Sequence, residues 1–201
     1  MEQNQHNSNS NQISGTKIGI TVILNIFITV AQIIGGIISG SIALLTDALH
    51  NFSDVISLLL SYITNRLAKK KSTIKQTYGF KRAEILSTFV NSVTLIAIAI
   101  YLIVEAVQRF LNPEPVKADL VIYFAFGSIV INFISVLLLY QDSKNSMNIK
   151  SAYLHLLTDV MTSIAVMIGG ILMKYFDIYR IDSILSVVIA IYLIFASYKL
   201  L

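Results

Sequence analysis

Residues 42–65 read IALLTDALHNFSDVISLLLSYITN, an apolar run that contains two aspartates and a histidine. A helix of this length crosses the ~30 Å hydrocarbon layer of a bilayer, which takes ~20 residues. Apolar runs of similar length recur at residues 18–38, 84–108, 119–140, 151–173 and 182–200. Polar or proline-containing segments, such as Asn112 to Pro115, separate them and carry turn chemistry. The pattern predicts an all-α membrane protein, a bundle of six transmembrane helices.

The composition agrees with lipid as the main solvent. The chain has 201 residues, of which 55% are apolar and 13% charged, about half the charged share of roughly 25% that is typical of soluble domains. Its mean hydropathy is +0.73. These values argue against a soluble enzyme, and a net charge of +4 is too small to predict a nucleic-acid partner. Because the chain has no cysteine, thiolate metal sites and disulfides are excluded, and chemistry is left to Asp, Glu and three His.

The distribution of charge predicts the orientation in the membrane. Residues 1–16 form a polar tail without the features of a secretory signal, and we expect this tail to be disordered and to precede a transport domain over residues 17–201. With the N-terminus inside, four basic residues remain outside, Arg109, Lys117, Lys174 and Arg180. The other eleven of the fifteen lie inside, many of them between Arg66 and Arg82. The positive-inside rule therefore places both termini in the cytoplasm of a multi-pass protein, which we expect in the cell membrane.

Ionisable residues occur in two of the apolar runs in the same pattern. His50 and Asp54 form an H-x-x-x-D motif in the second run, and His155 and Asp159 form another in the fifth. Residues four apart share one face of a helix, and both motifs lie at about the depth of the bilayer midplane. Two imidazoles and two carboxylates that meet at one point suit a tetrahedral Zn²⁺ ion. The spacing therefore predicts a metal site between the second and fifth helices.

The two motifs also allow interpretations without a metal. A single His–Asp pair is accounted for as well by an internal hydrogen bond or a proton relay, and the argument for a metal depends on having two pairs at matched depth. Asp47 lies one turn before His50 and has two interpretations. It belongs to the site as an accessory acidic group, which lines the approach or accepts a hydrogen bond from the His50 ring N–H, or it is a helix charge that faces outer water. The polar positions near the motifs either line an aqueous path or bridge helices: Asn25, Gln32, Asn51, Ser53, Asn91, Ser92, Asn132 and Thr158.

Three stretches resemble the cation diffusion facilitators, and their zinc-exporting branch in particular. They are Asp47-Ala48-Leu49-His50-Asn51-Phe52-Ser53-Asp54, Tyr78-Gly79-Phe80-Lys81-Arg82-Ala83-Glu84 and Ala152-Tyr153-Leu154-His155-Leu156-Leu157-Thr158-Asp159. The resemblance implies that Zn²⁺ is the main transported ion, with Cd²⁺, Co²⁺ or Fe²⁺ as further candidates, and that protons move the other way. It also implies a homodimer, with the transport-site role assigned to His50, Asp54, His155 and Asp159.

Two features depart from that family. Its members usually continue after the sixth helix into a cytoplasmic metal-binding domain, whereas this sequence stops at Leu201, so we expect either a truncated chain or a member without that domain. Many members also carry a His-rich fourth loop, and residues 141–150 contain no His. Metal capture by that loop is therefore not expected.

The functional expectation is a Zn²⁺/H⁺ antiporter of the alternating-access type, in which protons and metal compete for the same imidazoles. A proton-coupled carrier of another substrate, such as an organic cation, is the first alternative and predicts an aromatic-lined cavity. An intramembrane metal-dependent enzyme is the second, although H-E-x-x-H, G-x-S-x-G and G-x-x-x-x-G-K-[ST] motifs are all absent from the sequence.

Overall fold

The computed structural model describes residues 2–68, 81–144 and 147–200. Within these ranges the chain is helical and forms one helix for each predicted span, which confirms the predicted fold class. The helices are α1 (Glu2–Ser39), α2 (Ile42–Ala68), α3 (Lys81–Leu111), α4 (Ala118–Ser143), α5 (Met147–Phe176) and α6 (Arg180–Leu200). The basic segment from Lys69 to Lys75 and the motif residues Tyr78 to Phe80 lie outside the described residues.

Among the residues that the structure describes, five helices contain a stretch that is long and apolar enough to cross a membrane. These stretches are Gly19–Ser39, Phe89–Leu111, Ala118–Tyr140, Ile149–Phe176 and Arg180–Tyr198. Helix α2 carries four polar residues within its apolar sequence, Asp47, His50, Asn51 and Asp54. The first three of these side chains are buried inside the bundle. A polar face of this kind is tolerated in a membrane where it points to the bundle interior.

The backbone of α1 begins at Glu2, within the polar tail. The disorder expected for residues 1–16 and the limits of the transport domain stay predictions.

The helices pack in two close pairs, α4 with α5 and α3 with α6, while α2 contacts α1, α3 and α6 and touches α5 only along a short stretch. Large apolar side chains such as Phe27, Tyr123 and Phe195 point outward and are more than half exposed, as expected for a surface that faces lipid. The interior, in contrast, contains many polar side chains. The direct contact between α2 and α5 is therefore sparse, although α5 packs closely on α4.

Glycines allow the helices to approach closely. A Cβ atom on Gly36 would lie 3.1 Å from the backbone of Leu45 in α2, and one on Gly170 would lie 3.0 Å from Ile122 in α4. The surroundings of Gly40 are open and its φ is +74°, so it serves the turn between α1 and α2.

The end of the bundle that the charge distribution places outside is tied together by polar contacts. The Arg109 guanidinium donates to the Gly40 carbonyl at 2.6 Å, and Lys174 pairs with Asp119 at 2.6 Å. The Asp182 carboxylate of α6 accepts hydrogen bonds from the backbone N–H of Ile42 at 2.7 Å and from the Ser41 hydroxyl at 2.5 Å. Asp182 thus caps the start of α2 and complements its positive dipole end, which fixes α2 relative to α6.

Candidate metal centre

The four predicted side chains come together between α2 and α5. His155 Nε2 lies 3.0 Å from Asp54 Oδ2, and His50 Nε2 lies 3.7 Å from Asp159 Oδ1. Within each helix the His Nε2 to Asp Oδ2 distance is 3.8 Å, as expected for residues one turn apart. Each imidazole nitrogen therefore faces an oxygen of both carboxylates, and the two rings lie 5.7 Å apart edge-on.

These distances can be compared with the size of a tetrahedral zinc site. With Zn–N and Zn–O bonds of about 2.0–2.1 Å, two ligand atoms of a regular tetrahedron are about 3.3–3.4 Å apart. The four N···O distances of 3.0 to 3.8 Å fall around that value. Asp159 faces His50 with Oδ1 and His155 with Oδ2, so a tetrahedral ion bound by one oxygen of each carboxylate requires the Asp159 side chain to turn. Ligand atoms of His50, His155 and Asp159 all lie within 4.8 Å of one another.

The polar atoms of this cluster lack hydrogen bonds although they are buried. His50 Nε2, His155 Nε2, Asp54 Oδ2 and both oxygens of Asp159 have no hydrogen-bond partner in the described part of the chain. Buried polar atoms are nearly always paired, because leaving one unpaired costs about 1–3 kcal/mol. Five such atoms around one point fit a cation that all of them could bind. Nitrogen and carboxylate oxygen together suit Zn²⁺ better than Mg²⁺ or Ca²⁺, which prefer oxygen alone.

The two halves of the cluster are covered unequally. The side chains of His50 and Asp159 are 8% and 0% exposed, whereas those of His155 and Asp54 are 36% and 28% exposed. Because α2 runs inward from its capped start and α5 runs outward, Asp54 and His155 form the half nearer the predicted cytoplasmic side. The cluster is therefore more exposed on its predicted cytoplasmic side than on the other.

Tyr192 of α6 contacts the cluster and was not predicted. Its ring meets the His50 ring edge-on, with centroids 5.8 Å apart, and so limits the rotation of that imidazole. Tyr192 lies in the middle of α6, whereas membrane tyrosines concentrate at the interfaces. The position of Tyr192 in the middle of an apolar span is the sequence feature that could have indicated its place at the site.

Asp47 is buried one turn outward of His50, and the alternative that it faces outer water is wrong. Its Oδ2 accepts hydrogen bonds from Gln32 at 2.6 Å and from Ser163 at 3.3 Å, and its side chain is 1% exposed within the described residues. No hydrogen bond between Asp47 and His50 occurs in the described part of the chain. Ser163 was not predicted, because a serine in an apolar helix usually bonds its own backbone and gives no distinct signal.

The other polar positions mostly bridge helices or satisfy the backbone. Asn91 of α3 donates to the Ser53 hydroxyl at 3.2 Å, and the Thr158 hydroxyl donates to the Leu154 carbonyl at 3.1 Å. Asn51 donates to Gln32 at 2.9 Å. These contacts support the bridging alternative over a continuous aqueous path.

The fold and this cluster define a class: membrane proteins that hold convergent ionisable side chains in the middle of a helix bundle, where such residues normally mark an ion pathway. The chain belongs to the cation efflux transmembrane domain family, which it matches over residues 18–201. The predicted family resemblance is thereby confirmed, and the family is one of transporters.

Curated relatives agree with that membership. The chain is 35% identical to the cadmium, cobalt and zinc/H(+)-K(+) antiporter of Bacillus velezensis, over 94% of its own length and 62% of the relative's. It is 34% identical to the zinc transporter ZitB of Pectobacterium atrosepticum, over 86% of its length and 54% of the relative's. It is also 30% identical to the metal cation efflux system protein CzcD of Cupriavidus metallidurans, over 86% and 54%. The chain thus spans little more than half the length of these relatives.

Proposed function

We propose that this chain is the membrane domain of a divalent cation exporter that takes Zn²⁺ as its main substrate and exchanges it for protons in the cell membrane. His50, Asp54, His155 and Asp159 bind the ion between α2 and α5. The observation that carries the proposal is that two imidazole nitrogens and two carboxylates lie at N···O distances of 3.0 to 3.8 Å, with five of these atoms buried and without hydrogen-bond partners among the described residues.

Charge balance supports a divalent ion as the cargo. Two ionised carboxylates and two neutral imidazoles carry a charge of −2, which one divalent cation cancels. In a low-dielectric interior an uncancelled charge costs several kcal/mol, so the loaded site is neutral and suited to crossing the membrane. The empty site regains neutrality by taking up protons on the same side chains.

This shared use of the donors gives the exchange mechanism. A metal binds imidazole only in the neutral form, so protons and Zn²⁺ compete for His50 and His155. At the near-neutral cytoplasmic side the site loads metal and loses protons. After the helices rearrange to open the other side, protonation weakens coordination and releases the ion. The weakly packed contact between α2 and α5 supports such a rearrangement.

The names of the relatives support the substrate class. One relative is named as a zinc transporter. Another is named as an antiporter of cadmium, cobalt and zinc against H⁺ and K⁺. Cd²⁺ and Co²⁺ are therefore secondary substrates in this proposal. Homodimer formation is also proposed, from the family resemblance, and mass measurement of the detergent-solubilised protein by light scattering tests it.

Transport by reconstituted protein tests the proposal. Purified protein in proteoliposomes with an interior zinc dye is expected to move Zn²⁺ when a pH gradient is applied, and His50→Ala or Asp159→Ala is expected to abolish this flux. The matched control is His6→Ala, which removes the one histidine outside the two motifs. Flux at the wild-type rate in both site variants would exclude the site, and hydrolysis or organic-cation uptake without Zn²⁺ flux would favour the alternative functions.

A further inference from the structure

Tyr192 touches the metal centre but belongs to a helix that supplies none of its donors. Helix α6 packs mainly on α3 and makes smaller contacts with α2 and α5, which carry the four donors. Tyr192 is 43% exposed, although it occurs in the middle of an apolar span. A side chain that is neither a donor nor part of the buried core therefore stands against the site, and the proposed exchange does not use it.

The His50 imidazole needs a neighbour that limits its rotation. No hydrogen bond directs its Nε2, since that nitrogen has no partner among the described residues. The last torsion of a histidine side chain is broad, so packing against neighbouring groups limits where the nitrogen points. An imidazole that turns freely must be ordered again each time an ion binds, and this ordering costs affinity.

Two rings meet the His50 imidazole edge-on. The centroid of the His155 ring lies 5.7 Å from it at an interplanar angle of 72°, and that of the Tyr192 ring lies 5.8 Å from it at 77°. Tyr192 and His155 make no ring contact with each other in the described part of the chain, so they meet the imidazole from different directions. His155 is itself a donor, whereas Tyr192 can keep its place while the ion enters and leaves.

The other end of the Tyr192 side chain also lies at the site. Its hydroxyl lies beside the Thr158 hydroxyl and within electrostatic range of Asp54 and Asp159. Thr158 donates its proton to the Leu154 carbonyl at 3.1 Å, which leaves its oxygen able to accept from the phenol. A phenol in the middle of a bilayer needs such a partner, because lipid offers none. Tyr192 therefore reaches from α6 toward α5, with its polar end directed at the site.

We propose that Tyr192 is a positioning residue of the metal centre, whose ring holds the His50 imidazole with Nε2 directed at the two carboxylates. The inference rests on the proposed function, because it assigns a role at the same site. Tyr192 acts through His50, so its contribution exists only while that imidazole is present. Loss of the ring is expected to raise the Zn²⁺ Kd about three- to tenfold, which corresponds to the cost of ordering one side chain on binding.

Isothermal titration of Zn²⁺ into the purified full chain in detergent at pH 7.5 tests this role. Tyr192→Leu removes the ring and is expected to show the full loss of affinity. Tyr192→Phe keeps the ring, so its Kd is expected to stay within about twofold of the wild type. The matched control is Tyr198→Leu, which removes an exposed tyrosine near the end of the same helix and is expected to bind like the wild type.

A double-variant cycle distinguishes positioning from a general structural effect. In the His50→Ala background, Tyr192→Leu is expected to change the Kd by less than about twofold, because the imidazole that it positions is gone. In the His155→Ala background it is expected to cost the full factor. A residue that only stabilised the fold would show the same cost in both backgrounds. Equal losses in the two backgrounds would therefore overturn the proposal.

Three other results would also overturn it. They are wild-type affinity in a folded Tyr192→Leu, an equal loss in Tyr192→Phe, and failure of both Tyr192→Leu and Tyr192→Met to give a single gel-filtration peak, which would make the role of the side chain structural. Tyr192→Met, of similar length but without a ring, replaces Tyr192→Leu if only the latter fails to fold. Failure of the zinc proposal looks different: the wild type shows no saturable Zn²⁺ binding, or His50→Ala binds like the wild type, and this inference then falls with the site.

Discussion

Replacing His50 by alanine removes one of the four donors of the metal centre. His50 is the imidazole with the deeper position, 8% exposed, and it faces both Asp54 and Asp159. The substitution leaves three donors and a small space beside Tyr192 that water can enter. Zn²⁺ binding is expected to persist in weakened form, with water as the fourth ligand.

The size of the loss follows from the number of donors. Structural Zn²⁺ sites bind with about 10–16 kcal/mol, and four equivalent ligands share this as about 2.5–4 kcal/mol each. At about 1.4 kcal/mol for each factor of ten, removal of one ligand raises Kd by about two to three orders of magnitude. A loss of the same order is expected for His155→Ala, because His155 Nε2 also faces an oxygen of each carboxylate.

Isothermal titration of Zn²⁺ into the purified protein at pH 7.5 measures this change, and His6→Ala is the control for loss of a histidine elsewhere. The double variant His50→Ala, His155→Ala adds a second test. Donors that share one ion should be non-additive, so the double variant is expected to lose less than the product of the two single losses. A Kd within threefold of the wild type in either single variant would refute the shared site.

Three further outcomes follow from the structure. Zn²⁺ affinity is expected to fall as the pH decreases, because protons compete with the metal for the imidazoles, and to fall less steeply in His50→Ala. Titrations at pH 5.5, 6.5 and 7.5 measure this, and a flat profile contradicts the competition of protons with metal. Asp182→Ala removes the cap of α2, whose charge-assisted hydrogen bonds contribute about 1.5–3 kcal/mol each. It should lower the free energy of unfolding by about 2–4 kcal/mol in a melting experiment, whereas Asp142→Asn should leave it unchanged. An unchanged melting temperature in Asp182→Ala would show that the cap contributes nothing. Gly36→Val forces side-chain atoms against the Leu45 backbone and should cost about 1–3 kcal/mol in the same assay, while Gly19→Val, with open surroundings, should cost little; equal effects would contradict the packing role.

Much of the fold was predictable because the helices of a membrane protein are visible in its sequence as long apolar runs. All six predicted spans correspond to helices. The H-x-x-x-D spacing and the matched depth were enough to predict that four side chains lie close together, those of His50, Asp54, His155 and Asp159. Both arguments use only helix rise and rotation, which hold along a regular helix whatever the tertiary packing.

Features that depend on tertiary packing were not predictable in this way. Asp182 is 140 residues from the backbone N–H of Ile42 that it caps, and no periodicity relates the two. Tyr192 and Ser163 are single polar side chains in apolar helices, and the face of the bundle that they occupy is set by how α5 and α6 pack.

The most direct test is anomalous diffraction at the zinc absorption edge from crystals of the protein grown with Zn²⁺. We expect one peak in the membrane-spanning part of the bundle, about 2.0–2.2 Å from nitrogens of His50 and His155 and oxygens of Asp54 and Asp159. A zinc ion bound by other side chains, with these four directed to separate places, would contradict the proposed transport site.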